Sequence, residues 1–311
     1  MLLNYYLEKL GYNELPEFLH KYLYDPKLLR LKKIDYFCGM NCASKDIYNF
    51  KENITRYDHS LTVCLLTYKL TKSKTEAIAA LYHDISTPCF SHVIDYMNKD
   101  YDKQESTEDK TEEIMRDDLY LFKCLDEDGI DIDDVINFKK YSVVDCCRPK
   151  LCADRLDGII LTGISWVDIV TKEDIDEILD NITIYINEDN EKEIGFISKE
   201  TALKVYKINK AIDKECHSDY DNYMMELLAH ITKLLIDECY ISYDDLYVYN
   251  EPQIYQIIEA ICNKKFKGKS ELIIAGLMKI FKNIKKEEVP AMELNVKQRC
   301  VNPLLSTGRM K

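Results

Sequence analysis

Two short clusters of imidazole, carboxylate and guanidinium side chains are the most informative feature of this 311-residue chain. The first cluster is the run Arg56-Tyr57-Asp58-His59 and the second is the pair His83-Asp84, in a chain with only six histidines. Imidazole and carboxylate groups held together suit a divalent metal ion. A guanidinium one helical turn before His59 is not needed for metal binding, but it is a strong phosphate ligand. The pattern therefore predicts a metal site that also binds a phosphate.

A helical hairpin would position both clusters. Thr55 and Ser73 each precede an acidic residue at capping-box spacing and an apolar run, which predicts that helices start directly after them. Pro88 ends the second helix, and the short connection makes the helices antiparallel neighbours. About twelve residues separate the turn from His59 and about ten separate it from His83, roughly 18 and 15 Å of helix. The two histidines should therefore lie level with each other.

A later carboxylate, Asp154, completes the predicted ligand set. Pro149 suits the first turn of a helix and Gly163 its end, so Asp154 should lie mid-helix among apolar residues. An unpaired carboxylate is costly there, and a cation would remove that cost. The alternative is a surface charge pattern in which Asp154 or Asp157 pairs with Arg155. The predicted metal ligands are His59, His83, Asp84 and Asp154.

The order of these ligands resembles the H…HD…D signature of the HD-domain metal-dependent phosphohydrolases. Residues 56–60 resemble R-[FY]-x-H-S and residues 90–95 resemble F-S-H-x-x-D, both of the deoxynucleoside triphosphate triphosphohydrolase branch. Residues 28–34 look like the segment before the first motif, and two weaker echoes lie at 220–246 and 297–303. The resemblance covers roughly residues 25 to 305. It implies an all-α fold, an HD-domain helical bundle with a helical C-terminal extension, and a homodimer.

The chain departs from this branch in the residues that would face the substrate. Thr87 stands where the branch has a histidine after its HD pair, and Gln104-Glu105 stands where it commonly has a His-Glu pair. Gly158 and Thr162 replace residues that help hold nucleotide in some members. The metal ligands are thus retained while the substrate-facing residues differ, so substrate specificity does not simply carry over.

The remaining roles follow from position relative to the metal motif. Arg56 would bind a phosphate, and His92 would donate a proton or contact a phosphate unless it only caps its turn. Asp95 would orient His92, or be a simple first-turn carboxylate. Glu105 and Glu108 would replace the missing acid–base pair, or belong to an exposed acidic loop. The predicted catalytic residues are Arg56, His92, Asp95 and Glu105, and the predicted substrate contacts are Arg56, His92 and Gln104.

Three functions fit these residues. The first is a phosphohydrolase that attacks a nucleotide, such as a dNTP or an NTP, with a metal-activated water. The second is a phosphomonoesterase of the 5′-nucleotidase type, and the third is a nucleotide-binding regulatory protein with weakened catalysis. The mixed ligand set suits Mn, Fe, Co, Ni, Zn or Mg and does not select among them.

Composition limits the protein class. The chain is 46% hydrophobic and 31% charged, and no apolar run approaches the roughly 20 residues that cross a bilayer. The net charge of −13 argues against a nucleic-acid duplex as partner, because such partners require a basic face. The basic tail with Lys297, Arg299, Arg309 and Lys311 is expected to be solvated; the alternative is that it helps to form a small positive pocket for a nucleotide. Twelve scattered cysteines indicate reduced thiols, so we expect a cytoplasmic protein with a small phosphorylated substrate and no membrane segment.

Apolar periodicity predicts an almost wholly helical chain with one short β-hairpin, at 182–186 and 194–197. The acidic segment 98–113 is expected to be a mobile loop. Residues 1–180 would form the catalytic HD-domain bundle, and residues 181–311 would add the hairpin and accessory helices, packed into the same domain. The predicted helices are 3–10, 16–24, 56–71, 74–85, 114–124, 149–162, 200–215, 221–239, 252–262 and 270–284.

Overall fold

The computed structural model describes residues 1–104 and 106–310. Its helices are α1 (Leu2–Lys9), α2 (Leu19–Tyr22), α3 (Pro26–Arg30), α4 (Arg56–Thr71), α5 (Lys74–Tyr82), α6 (Val93–Met97), α7 (Thr111–Arg116), α8 (Leu119–Asp128), α9 (Ile132–Ile136), α10 (Ala153–Ser165), α11 (Lys172–Asn181), α12 (Lys199–Cys216), α13 (Asp219–Asp237), α14 (Asp245–Val248), α15 (Glu251–Asn263) and α16 (Lys269–Asn283). Its strands are β1 (Ile182–Ile186), β2 (Lys192–Phe196), β3 (Leu304–Leu305) and β4 (Gly308–Arg309). Single 3-10 turns lie at Tyr12–Glu14, Leu31–Lys33, Met40–Cys42, Ser106–Glu108, Phe138–Lys140 and Lys286–Glu288.

The predicted helical hairpin is formed by α4 and α5. The hydroxyl of Thr55 accepts from the backbone N–H of Asp58 in a full capping box, and the Ser73 hydroxyl accepts from the backbone N–H of Glu76 at the start of α5. Lys72 connects them in the left-handed conformation, which allows the sharp reversal. The second helix ends at Tyr82 instead of continuing to residue 85, so His83 lies at its C-terminal cap. The imidazole therefore projects from a helix end.

Helix α10 begins later than predicted. The backbone N–H groups of Ala153 and Asp154 donate to the carbonyls of Val143 and Val144. The preceding segment therefore provides acceptors for the N–H groups of the first helical turn, which have none within the helix. Asp154 thus lies in the first turn, and the mid-helix prediction is wrong. Gly163 lies inside the helix instead of ending it. A Cβ there would lie 2.5 Å from Val170, so glycine permits the following segment to pack closely.

The structure contains a small sheet in place of the single predicted hairpin, so the all-α prediction is only approximately right. Strands β1 and β2 pair antiparallel, β3 adds to β2 in parallel, and β4 pairs antiparallel with β3. A Cβ on Gly195 would lie 2.7 Å from the carbonyl oxygen of Leu304, which explains a glycine at that approach. Arg309 holds the last strand through ion pairs with Glu188 and Glu193.

The segment predicted to be an acidic mobile loop is packed into the protein where the structure describes it. Ser106, Thr107 and Thr111 are buried, and the Ser86 hydroxyl donates to the carbonyl of Thr107. Glu105 lies outside the described residues. The predicted helix over 114–124 is instead two helices, α7 and α8, because the Asp118 side chain caps the start of the second. Helix α11, absent from the prediction, starts in a capping box.

The core is continuous through both halves of the chain. Helix α10 packs on α4 and α12, and α6 packs on α13. Residues 289–303 have no regular structure and lie between α16 and β3, with Val296 and Val301 buried. The division near residue 180 stays a prediction. Among the described residues, no helix combines the length and apolar character required to span a membrane.

Candidate metal centre

Two buried imidazoles from the α4–α5 hairpin face one point. Nδ1 of His59 lies 2.7 Å from a carboxylate oxygen of Asp157, whose other oxygen accepts from the hydroxyl of Tyr6 at 2.8 Å. Nδ1 of His83 lies 2.7 Å from the carbonyl oxygen of Ala80. Both partners are acceptors, so each Nδ1 carries a proton and each Nε2 is the nitrogen that could bind a metal ion. The ring centroids are 5.1 Å apart, as equal helical arms predict.

Two carboxylates approach the same point. Oδ1 of Asp154 lies 3.0 Å from Nε2 of His59 and 3.6 Å from Nε2 of His83. The Asp84 carboxylate lies 3.8 Å from each of these nitrogens. His59, His83 and Asp154 offer ligand atoms that all lie within 4.8 Å of one another. The structure thus brings the four predicted ligands together.

The donor set fits a divalent cation. Nε2 of His83 is buried and has no hydrogen-bond partner among the described residues, an unfavourable state for a polar atom. Burial lowers the pKa of His59, but hydrogen bonds to Asp154 and Asp157 outweigh burial and raise it to about 10. A cation at the shared point would accept the lone pair of His83, take the place of the proton on His59 and neutralise the carboxylates.

Arg56 lies directly beside the candidate ligands and is buried. Its Nη1 donates to Asp84 at 2.9 Å and its Nε donates to the Ser91 hydroxyl at 3.1 Å. The guanidinium lies 5.0 Å from the ring centroid of Tyr36, which packs in turn on His59 at 5.1 Å. Sequence reasoning missed Tyr36. Arg56 is therefore fixed on three sides, which is the condition for precise contact with a phosphate.

His92 and Asp95 form a pair at the edge of the same cavity. Nδ1 of His92 lies 2.9 Å from a carboxylate oxygen of Asp95. Asp95 is fully buried and its other oxygen accepts from the backbone N–H of Ser106 at 3.0 Å. Asp95 thus contacts His92 in the way its predicted orienting role requires, and its part in catalysis stays a prediction. Burial lowers the pKa of His92.

The positions that depart from the triphosphohydrolase pattern do not all lie at the cavity. Thr87 is buried and its carbonyl accepts from Arg30, so it does not supply a replacement acid. Gln104 lines the cavity and its Oε1 accepts from Nη2 of Arg299 at 3.0 Å. Glu108 also lines the cavity, in an ion pair of 2.5 Å with Lys139. His92 is consequently the best-placed proton donor among the described residues.

Comparison with known proteins identifies the family. The HD domain family description matches residues 56–141. Over 168 residues the chain is 25% identical to metal-dependent phosphohydrolase cns2 of Cordyceps militaris, covering 53% of this chain and 48% of that protein. This chain therefore contains an HD domain, and the similarities support the HD-domain superfamily of metal-dependent phosphohydrolases. It is also 34% identical over 115 residues to the uncharacterized protein YdhJ of Bacillus subtilis, covering 36% of this chain and 34% of that protein. The HD-domain chain thus spans half or less of the length of these curated relatives.

Solved structures share the fold. A hypothetical protein from Aquifex aeolicus superimposes with a TM-score of 0.58 at 14% identity, covering 84% of this chain and 71% of that one. A phosphohydrolase from Bacteroides thetaiotaomicron gives 0.53 at 15% identity, covering 85% and 72%. The triphosphohydrolase branch of the HD-domain superfamily stays a prediction for this chain.

The candidate metal ligands form one wall of a cavity of about 640 Å³. Four aromatic side chains form a second wall, with Phe37 and Phe50 stacked at 4.2 Å between ring centroids. Five basic side chains also line the cavity. The aromatic residues are Phe37, Tyr48, Phe50 and Trp166, and the basic residues, besides Arg56, are Lys139, Arg148, Arg155, Lys297 and Arg299.

The expected solvated basic tail is wrong for Lys297 and Arg299, because the segment that carries them packs along the cavity. The backbone N–H of Arg299 donates to Asp213 at 2.7 Å, and its carbonyl accepts from the side chain of Asn209. These contacts hold both basic side chains toward the cavity. Among the described residues, six basic and five acidic side chains line the cavity, so it is much less acidic than the protein as a whole, which net charge alone conceals.

Asp157 is the main supporting residue that sequence reasoning did not identify. It was considered only as part of a surface charge pattern, yet it is fully buried and anchors His59. Its spacing of three residues from Asp154 on one helix was the available signal. The alternative considered from sequence, in which Arg155 pairs with one of these aspartates, is wrong. Its guanidinium donates to the carbonyls of Cys146 and Lys150 instead.

Proposed function

We propose that this protein hydrolyses a phosphate ester or anhydride bond of a nucleotide, such as a dNTP or an NTP, with a metal-activated water. The observation that carries the proposal is Nε2 of His83, unpartnered among the described residues, which faces the same point as His59 and Asp154 directly beside the guanidinium of Arg56. Two imidazoles and carboxylates without an adjacent arginine would serve metal binding equally well. The arginine is what favours a phosphate at the metal.

The residues divide the work of the reaction. A divalent ion would be held by His59, His83, Asp84 and Asp154. When bound, such an ion lowers the pKa of a coordinated water and polarises the phosphoryl group. Arg56 would bind the phosphoryl oxygens and stabilise the charge that develops on them. His92 is oriented by Asp95 through Nδ1. Its Nε2 would contact a phosphoryl oxygen or, in the doubly protonated imidazolium form that burial disfavours, donate its proton to the leaving oxygen.

The aromatic wall supports a nucleotide over a smaller phosphate ester. Phe37 and Phe50 are stacked, and Tyr48 lies 5.4 Å from Phe50 with nearly parallel rings. A nucleobase gains stacking and apolar contact against such a surface. The cavity volume of about 640 Å³ lies within the usual range of small-molecule sites.

Two further functions rest on specific residues. A 5′-nucleotidase-type phosphomonoesterase would use the same ligands and release orthophosphate from a monophosphate. A regulatory nucleotide-binding protein with weakened catalysis is favoured by Thr87 and Gln104, which stand where the resembling branch has histidines. The expected homodimer also belongs to this proposal.

The test combines metal analysis with a product-resolved nucleotide screen. Protein reconstituted with Mn²⁺ should release phosphate, pyrophosphate or triphosphate from at least one nucleotide, and the product separates the two enzyme functions. Asp84→Ala should lose bound metal and activity together, whereas the exposed His230→Ala should retain both. Full activity in Asp84→Ala would contradict the proposal. Tight nucleotide binding without any product would favour the regulatory function.

A further inference from the structure

Two arginines in the cavity have no anionic partner in the part of the chain that the structure describes. Arg148, from the loop before α10, and Arg299, from the C-terminal segment, both line the cavity that contains the metal ligands. Within residues 1–104 and 106–310, no ion pair joins either guanidinium to a carboxylate. The other cavity arginines differ, since Arg56 pairs with Asp84 at 2.9 Å and Arg155 lies 3.8 Å from Asp145. Arg148 and Arg299 thus lack a direct salt bridge among the described residues, although the more distant carboxyl of Asp221 contributes to the raised pKa of Arg299.

The hydrogen bonds of these two side chains leave at least one buried donor without an acceptor. Arg299 donates from Nη2 to Gln104 at 3.0 Å, while its Nε is buried without a partner among the described residues. Arg148 donates from Nη1 to the backbone carbonyl of Gln298. A guanidinium presents several N–H donors in a planar fork that matches phosphate oxygens. A buried N–H without an acceptor calls for an explanation, and a bound anion would provide the missing acceptor for Nε of Arg299.

The two guanidiniums also oppose each other electrostatically. Burial is the main reason that the pKa of Arg148 falls to about 10, and the positive charges of Arg299 and Arg155 lower it further. Like charges held together in a partly buried site destabilise the empty protein. A bound anion between them would remove that repulsion.

The pair lies within electrostatic reach of the proposed reaction centre. Asp154, a candidate metal ligand, is close enough to raise the pKa of Arg148, although burial dominates there. Arg299 is close enough to contribute to the lowered pKa of His92. An anion at the arginines and a phosphoryl group at the metal would therefore both fit in one cavity. A single substrate with two anionic groups satisfies both.

We propose that Arg148 and Arg299 form a second anion subsite, which binds a phosphate group of the substrate other than the one at the metal. The substrate then carries at least two phosphate groups, which favours a nucleoside diphosphate or triphosphate over a monophosphate. The identity of the substrate rests on the proposed function, whereas anion binding by the two arginines does not.

Calorimetric titration of the full chain with inorganic pyrophosphate, after removal of metal by a chelator, tests the subsite directly. Arg299→Gln and Arg148→Gln should each weaken pyrophosphate binding about tenfold or more, since each loses charge-assisted hydrogen bonds. Arg299→Lys should fall between wild type and Arg299→Gln, because it keeps the charge but loses the fork. Arg116→Gln, which removes an exposed arginine on α7, is the matched control and should bind like wild type. Equal affinity in all variants would overturn the proposal.

Kinetics on the metal-loaded protein provide the second measurement. Arg299→Gln should raise KM about tenfold for a nucleoside diphosphate or triphosphate with unchanged metal content, and leave KM for the monophosphate unchanged. Thermal unfolding shows whether each variant is folded. If Arg148→Gln does not fold, because it loses the hydrogen bond to the carbonyl of residue 298, the result for Arg299→Gln is used alone. If the arginine variants bind pyrophosphate more weakly than wild type does, but no nucleotide is turned over, the proposed function is refuted and the anion subsite is still supported. An equal rise in KM for monophosphate and diphosphate would overturn the subsite.

Discussion

Two walls of one cavity are built in opposite ways. The metal wall, His59, His83, Asp84 and Asp154, comes from the α4–α5 hairpin and the first turn of α10, and each imidazole has its Nδ1 fixed by an acceptor. The arginine wall, Arg148 and Arg299, comes from a loop and an extended segment. Its guanidiniums repel each other and leave donors without acceptors among the described residues. The metal wall is organised by the protein, whereas the arginine wall is completed only by a ligand.

Because the two walls differ in this way, substitutions in them should have different effects. A change in the metal wall should alter metal content first and catalysis as a consequence. A change in the arginine wall should alter substrate affinity while metal content stays constant. Four changes test whether the walls are independent in this way.

The largest effect is expected for His83→Ala. Removal of one imidazole breaks the donor set, so bound metal should be lost and activity should fall by about 10³-fold or more. The check is metal stoichiometry together with turnover, and His230→Ala is the control because that histidine is exposed. If His83→Ala keeps its metal but loses turnover, the residue acts on the substrate, and the assignment of His83 to metal binding is contradicted.

Asp157→Asn should have the next largest effect. The buried carboxylate accepts from His59 and Tyr6, and its replacement by an amide removes the charge that holds the imidazole. Metal affinity should fall by about 10- to 100-fold, the usual cost of losing such a supporting contact. Excess metal should restore turnover, unlike in His83→Ala. Asp180→Asn changes an exposed aspartate and serves as the control; an equal loss there would contradict the assignment.

Gln104→Ala tests the arginine wall by removing a side chain that holds Arg299 in place. Gln104 accepts from Nη2 of Arg299, so its loss should loosen that guanidinium and raise KM by about 2- to 10-fold. Metal content should not change. The exposed Gln298→Ala keeps the backbone carbonyl that Arg148 uses and should behave like wild type. A fall in bound metal in Gln104→Ala would show that the walls are coupled.

The smallest effect on activity is expected for Glu251→Gln, beneath the turn that carries Ser91. Glu251 is buried and accepts from the backbone N–H groups of Asp35 and Phe90. Burial, followed by the charge of Asp35, raises its pKa to about 8. The neutral carboxyl stabilises the fold below its ordinary pKa of about 4.3, and this contribution is lost as pH rises through about 8.

Glu251→Gln keeps an acceptor oxygen and removes the charge. It should therefore be more stable than wild type at pH 8.5, by on the order of 2 kcal/mol, and similar to wild type near pH 4. Urea unfolding across this pH range measures the difference. A constant difference at every pH would show that burial of the charge is not its cause.

Much of the metal wall could be predicted from sequence because its causes are local. The helix caps, the short turn and the helical rise place His59 opposite His83 without knowledge of the rest of the fold. Prediction was weaker at Asp154. Its helix starts where the carbonyls of Val143 and Val144 meet it, a tertiary contact that no local pattern reports.

The sequence by itself determined the hairpin, the candidate ligands and the arginine beside them, since periodicity and capping act within a few residues. Tertiary structure decided which supporting groups reach them. Asp157 became an anchor through burial, and backbone contacts with Asp213 and Asn209 hold Arg299 at the cavity. Arg148 and Arg299 are remote in sequence, so only packing of the whole chain could bring their charges together.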